Sequence, residues 1–316
     1  METQQPAIRP VVIYPFVQPK NIDSLKLLYA ELTRLTTDTS FRFSKPTTVV
    51  NNQTKYRSTT PWSDNVALDL SYNAAINDVV APASTIISTW SVDTCALWLR
   101  GLGDAFEDAT EKKAHHDVFW LIPGDFDFTT PAGGSALERL SNIPKRVYSG
   151  ELDICLGEIE VPINSAKQLI DTYGTYGLLY NWFPAEAKGI RKITDKPRTE
   201  FLAMNYQALR QALIPNRWYA YEQTLMILLQ NMDGDKKGRE IKSEPLGLIT
   251  DEEATRSNLP AAMQQVERTE RALKLFWRER ETARGGQDWQ DRFRVLDAQS
   301  ESVRTAAMVI LRRVLA

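Results

Sequence analysis

The chain has 316 residues, of which 43% are hydrophobic and 25% charged, and its formal net charge is −2. That length exceeds one small core and suits one large α/β domain with an appendage. The near-neutral charge gives no bulk attraction to nucleic acid or to acidic membranes, and no apolar run nears the ~18 residues that span a bilayer.

The first element is the run Val11-Val12-Ile13-Tyr14-Pro15-Phe16. A short, β-branched and continuously apolar run predicts a strand buried on both faces. Asn21-Ile22-Asp23 then opens a helix over residues 24–35, with Leu25, Leu28 and Leu32 at helical spacing. A second strand is expected over 41–50, interrupted by Pro46 and ending at Asn51-Asn52. Residues 53–64 read as a polar loop and 65–80 as a helix or mixed element. Residues 84–90 read as a third strand and 92–109 as a helix. Val118-Phe119-Trp120-Leu121-Ile122 is the most hydrophobic strand, and it runs into Pro123-Gly124-Asp125-Phe126-Asp127.

Beyond it, 147–161 reads as one long strand or a hairpin, 163–173 as a helix, 200–204 as a strand and 206–213 as a short helix. Residues 221–232 form a strongly apolar helix, 233–238 a solvated loop, and 245–249 a last short strand. From Asp251 the pattern is helical, broken at Gly285-Gly286. Trp289, Phe293, Leu296, Val303, Ala307, Ile310 and Val314 then form a heptad-like stripe, with Ser300 in between. The expected fold class is α/β, a mixed and mostly parallel sheet flanked by helices. It spans 1–250 and is followed by a helical hairpin over 251–316. The stripe packs either on the body of its own chain or on a second copy, as a homodimer.

The supply of reactive side chains narrows the chemistry. Cys95 and Cys155 lie in apolar surroundings and read as buried thiols rather than a disulfide. The start, Met1 to Pro10, has no signal-peptide core, so the expected compartment is the cytoplasm. His115 and His116 are the two histidines, and adjacent residues share no helix or strand face. A His/Cys zinc site is thereby nearly excluded. Carboxylates, Lys/Arg and hydroxyls remain.

Asp125 and Asp127 are the central candidates. Two carboxylates spaced by one residue at the end of a buried strand can both reach a divalent cation if the chain turns, and Gly124 makes that turn cheap. A hard cation such as Mg²⁺ or Mn²⁺ would bridge the phosphates of a nucleotide diphosphate. The bland reading is a capped, solvated turn. Gly101 and Gly103 interrupt an apolar helix at a cost of about 1 kcal/mol each, which points to close approach to a ligand or to a strand. Arg100 could meet a phosphate. Glu222 would sit at a helix N-terminus, where the dipole favours its anion and where it could serve as general base or simply stabilise the helix. The aromatic stretch Tyr173 to Pro184 lines an acceptor pocket or packs in the core.

Taken together these segments resemble the GT-A glycosyltransferases, in particular the family-2-like and mannosylglycerate synthase types, over about residues 10–250. The resemblance implies that Pro15 and Phe16 lie near the nucleotide base, and Asn51 and Asn52 at the base or ribose. It places Arg100 before the metal strand, and Asp125 and Asp127 at the metal and the donor diphosphate. Glu222 falls on the family's acidic pair. Gln223 stands where that pair's second acid would be, and no histidine follows His116 to complete a metal site. The implied activity is transfer of a sugar from a UDP- or GDP-sugar, with Mg²⁺ or Mn²⁺, to a small-molecule or glycan acceptor. Two other readings remain at this point. One is a nucleotidyltransferase, although the Val17-Gln18-Pro19-Lys20 loop lacks glycine. The other is an inactive relative that acts as an interaction module.

Overall fold

The computed structural model describes residues 5–14, 22–51, 74, 76, 78–89, 94–161, 165–213, 222–232, 239–249, 259–285 and 288–315. Pro15, Phe16 and Asn52, the expected loops over 53–64 and 233–238, and most of 65–80 lie outside them.

Strands β1 (Ile8–Tyr14), β2 (Thr47–Asn51), β3 (Thr85–Thr89), β4 (Val118–Pro123), β5 (Ile154–Glu160), β6 (Leu202–Asn205) and β7 (Ile241–Ile249) form one sheet in the order β3-β2-β1-β4-β6-β5-β7. The pairs β1–β2, β2–β3 and β1–β4 are parallel, whereas β6 runs antiparallel to β4 and β5. The expected mixed, mostly parallel α/β sheet is therefore present. Every residue of β4 is buried, as a strand covered on both faces requires. The second strand is shorter than its sequence implied. Pro46 has no N–H to give the ladder and only its carbonyl is used, accepting from Thr85 N–H at 2.9 Å.

Helices cover both faces. In α1 (Ile22–Leu35), Leu25, Leu28, Leu32 and Leu35 are buried, each worth about 1.5–3 kcal/mol. Tyr29 of α1 is hydrogen-bonded to Thr48, and Thr48 to Ser84 at 2.5 Å; burial pushes the Tyr29 phenol far above its ordinary range. On the opposite face, α2 (Thr94–Glu111) lays Gly101 against Val11, Ile13 and Val49. Neighbouring residues of a strand point to opposite faces, so Thr48 and Val49 mark the two sides of the sheet.

Four helices were not legible as such, α3 (Pro131–Leu140), α4 (Asn142–Tyr148) and those over Tyr176–Trp182 and Pro184–Ile193. The strand or hairpin expected over 147–161 is in fact the end of α4, a turn, and β5. Ile143, Pro144 and Val147 bury one helical face, and Gly150 at φ 76° stops the helix in the left-handed region.

By internal contacts the chain forms two compact units. One comprises 1–157, 200–211 and 240–248, and the other 158–199, 212–239 and 249–316. The second unit is helical. It contains α5 (Ala166–Leu169), a π-turn over Ile170–Thr175, α6 (Tyr176–Trp182), α7 (Pro184–Ile193), α9 (Gln223–Met232), α10 (Leu259–Arg284) and α11 (Trp289–Leu315); α8 (Tyr206–Ala212) belongs with the sheet. At the π-turn a Cβ on Gly174 would lie 2.8 Å from Val266, so the glycine lets α10 approach closely.

The helices α10 and α11 pair as an antiparallel hairpin, Glu281 meeting Arg292 near the turn and Glu270 meeting Arg304 far from it. Within the stripe of α11, Ser300 and Ala307 are buried, joined by Leu311, and Trp182 of α6 donates to Ser300 at 3.0 Å. The chain's own helices thus cover the middle of this face, while Trp289, Phe293, Leu296, Val303 and Ile310 are half-buried and Val314 is exposed. Of the aromatic stretch, Tyr176, Trp182 and Phe183 are buried and pack in the core, whereas Tyr173 and Tyr180 are exposed. None of the described helices is long and apolar enough to cross a membrane.

Candidate functional site

In an open α/β sheet, ligands bind beyond the carboxyl ends of the strands where the strand order reverses. Here that point lies between β1 and β4, since the chain leaves β1 towards β2 and β3 and later returns to β4 on its other side. Asp125 and Asp127 follow the carboxyl end of β4 directly.

The turn that carries them is held from several directions. Gly124 N–H donates to the Ile13 carbonyl at 2.6 Å, tying the end of β4 to the end of β1. A Cβ at Gly124 would lie 2.9 Å from the Tyr14 ring and 3.2 Å from the Ile13 carbonyl oxygen, so no side chain fits there without a shift. Ser24, fully buried in the first turn of α1, donates to the Phe126 carbonyl at 2.5 Å and accepts from the Phe128 N–H at 2.8 Å. The Phe126 ring packs edge-on against Phe201, with centroids 4.9 Å apart. Behind the turn, α3 starts at Pro131 with Thr130 as its cap, accepting from Gly133 N–H at 3.0 Å. A Cβ on Gly133 would come within 2.3 Å of the Asp127 carbonyl oxygen, so glycine sets how closely α3 seats against the turn.

The two carboxylates differ. Asp125 is half-buried and Asp127 is exposed. One oxygen of Asp127 accepts from the Thr129 N–H at 2.9 Å and its hydroxyl at 2.5 Å. Among the described residues no three His, Cys, Asp or Glu side chains come together to hold a metal ion. A set of two carboxylates still suits Mg²⁺ or Mn²⁺, since such ions keep several waters and are commonly bound through one or two carboxylates plus substrate phosphates.

The remaining candidates are dispersed. Arg100 is exposed on α2 and pairs with Asp104 at 3.1 Å, one helical turn on. Its neighbour Gly101 meets strand side chains, which accounts for that glycine without a ligand, while Gly103 has nothing within 4 Å. Asn51 ends β2, paired with Thr89 in the ladder. His115 and His116 are exposed in the turn before β4.

Glu222 belongs to the second unit and immediately precedes α9. It is buried among charged partners, with Arg268 at 3.5 Å, Arg198 at 3.8 Å, and the Thr269 hydroxyl donating to it at 3.2 Å. Arg198 also holds the buried Asp171 of the π-turn at 2.8 Å. Burial raises the Glu222 carboxyl above the ordinary carboxylate range. The two guanidinium groups and Thr269 pull it back down, and Asp171 pushes it further up.

Sequence reasoning passed over three residues that shape the turn: Ser24, Gly133 and Phe201. Ser24 had a signal, a serine on the same helical face as Leu25, Leu28 and Leu32. The start of α3 had one too, Thr130 before Pro131.

No protein-family model and no curated protein matches this sequence. Among solved structures it is similar to glucosyl-3-phosphoglycerate synthase from Mycobacterium tuberculosis in complex with phosphoglyceric acid. The identity is 11% and the TM-score 0.49, over 84% of this chain and 78% of that one. It is also similar to the same enzyme in complex with Mg²⁺ and uridine diphosphate, at 10% identity and a TM-score of 0.42, over 77% of this chain and 70% of that one.

Proposed function

We propose that the chain is a cytoplasmic glycosyltransferase that moves a sugar from a nucleotide-diphosphate donor to an acceptor hydroxyl, using a divalent metal. The observation that carries this reading is the Asp125-Phe126-Asp127 turn at the strand-order reversal between β1 and β4, fixed by Ser24 and by two glycines. Asp125 and Asp127 would hold Mg²⁺ or Mn²⁺, which when bound would offset negative charge on the leaving diphosphate.

The chain's own part is positioning. Two hydrogen bonds to Ser24 on either side of Asp127 keep the turn from relaxing, and a pre-set turn spares the site the cost of reorganising as charge develops. The Thr129 hydroxyl occupies one oxygen of Asp127 and leaves the other for the ion. We assign Arg100 to the donor side, as a phosphate contact that would have to exchange its partner Asp104. For Glu222, two guanidinium partners favour an orienting role over that of a base. Pro15, Phe16, Asn51 and Asn52 are proposed for the base and ribose.

The test is a thermal-shift screen of UDP, GDP and their sugar conjugates with and without Mn²⁺. A ligand at a hundredfold its dissociation constant stabilises by about 2.7 kcal/mol. A metal-dependent shift with one nucleotide, abolished in Asp125→Ala and Asp127→Ala, is expected together with slow hydrolysis of the matching sugar nucleotide. No shift with any nucleotide sinks the reading.

A further inference from the structure

Among the described residues, the partners of α11 lie on one side of it. From α10, Lys274 meets Asp297 at 2.5 Å, Glu270 meets Arg304 at 3.2 Å and Glu281 meets Arg292 at 3.1 Å. From α6, Asn181 donates to the Leu296 carbonyl at 2.9 Å and Trp182 to the Ser300 hydroxyl at 3.0 Å. The opposite face of α11 consists of Val295, Ala298, Ser302, Ala306 and Val309, all exposed, and the exposed Asp291 and Arg313 close it at its two ends. At the helical turn of 3.6 residues these positions fall within an arc of about 80°. Val295 is 58% exposed and Val309 41%. A valine loses side-chain freedom in a helix, so helix propensity does not account for two of them facing solvent.

This face reads the same from both ends. Ser302 is its midpoint. Ala298 and Ala306 stand four residues to either side, Val295 and Val309 seven, and Asp291 and Arg313 eleven, the last pair with opposite charge. The steps of four, three and four give a period of about 3.67 residues per turn. That is close to the ordinary helix, so the face runs nearly straight along the axis for about 33 Å. A two-fold interface needs reciprocal contacts, residue i meeting residue j and j meeting i. An antiparallel pair of these helices, with its axis at Ser302, meets that need at every position. Val295 meets Val309, Ala298 meets Ala306, and Ser302 meets itself. Charge sets the direction. The antiparallel pair brings Asp291, and Asp288 just before the helix, to Arg312 and Arg313 of the second copy. Arg294 at the border already holds Asp291 at 3.0 Å, and Glu301 at the border is held by Arg304 at 3.9 Å. A parallel pair would set Arg312 and Arg313 against their own copies, which is unfavourable.

We propose that this face of α11 docks on the same face of a second copy of the chain, as an antiparallel two-fold dimer centred on Ser302. The alanines and the serine let the two helix axes come to the close end of the usual 8–10 Å range. The valines supply the apolar contact, and the charges at the two ends fix the direction. One helix against its copy is a small interface, so association is expected at micromolar concentration. The inference is independent of the glycosyltransferase reading.

Sedimentation equilibrium of the full chain, from about 1 to about 500 µM, tests it. A monomer–dimer equilibrium is expected. Ser302→Arg sets two like charges on the axis and should weaken association at least tenfold. Ser302 is exposed, so this variant is expected to keep the wild-type melting temperature. Oxidative cross-linking reads the geometry separately, with the wild-type chain as control, since a disulfide forms only where the Cα atoms come within about 7 Å. Ser302→Cys should link to itself. Val295→Cys should link to Val309→Cys in a mixture, and neither should link to itself. A chain that stays monomeric throughout leaves this face to a different partner and overturns the proposal. Dimerisation untouched by Ser302→Arg, or self-linking of Val295→Cys, overturns it as well.

Discussion

The hydroxyl of Ser24 donates to the carbonyl of Phe126 at 2.5 Å, so α1 holds the peptide between the two aspartates. Ser24→Ala strands that carbonyl and the Phe128 N–H in a buried setting, at a cost of about 1–3 kcal/mol. Chemical denaturation should show that loss. The metal-dependent nucleotide shift should weaken by more than the global stability does, because the turn is freed locally. An unchanged metal response would separate Ser24 from the site.

Gly101 and Gly103 lie on the same helix and should respond in opposite directions. A Cβ at Gly101 would be 2.8 Å from Val11 and 2.9 Å from Val49, whereas at Gly103 it meets nothing within 4 Å. Gly101→Ala is expected to destabilise by about 1–3 kcal/mol through overpacking. Gly103→Ala should stabilise by up to about 1 kcal/mol, since alanine is the better helix former. Melting temperatures of the two variants check both signs.

Cys155 is buried in β5, and burial pushes its thiol from 9.0 up to about 12. The folded state therefore favours the protonated thiol. That contribution to stability is complete below pH 9 and is lost as the pH rises towards 12. At pH 8.5, alkylation of Cys155 in the native protein should be at least about a hundredfold slower than in urea, because the thiolate is the nucleophile. Peptide mass spectrometry distinguishes this cysteine from Cys95.

At Glu222, the amide keeps the shape of the carboxyl group and an oxygen that can still accept from the Thr269 hydroxyl. Glu222→Gln should cost less than about 1.5 kcal/mol. Glu222→Ala should cost about 3 kcal/mol or more, because it opens a cavity and takes the buried acid from Arg268, while Arg198 keeps Asp171. A large fall in turnover for Glu222→Gln with stability intact would restore the role of general base.

The sheet was largely legible because β4 and the Val11–Tyr14 part of β1 are short, continuously apolar runs and β3 is rich in β-branched residues, which have few alternatives to a strand. The shortening of β2 follows from Pro46, already visible as an interruption. Residues 142–146 gave no reading and 147–148 read as the start of a strand, because Ile143, Pro144 and Val147 suit either period and Gly150 acts only through its backbone conformation. At the candidate site the aspartates could be read from position alone. Their supports could not, since Ser24 and Phe126 are 102 positions apart and sequence spacing says nothing at that range.

That separation has a consequence for the order of events in folding. The turn depends on α1, on the opening of α3 and on Phe201, so neither aspartate can be set by local chain preferences. Closing such long loops is slow compared with forming a helix. The aspartates should therefore be among the last groups to reach their places. In a refolding experiment, metal-dependent nucleotide binding should lag behind the recovery of helical signal and coincide with the final consolidation of the sheet.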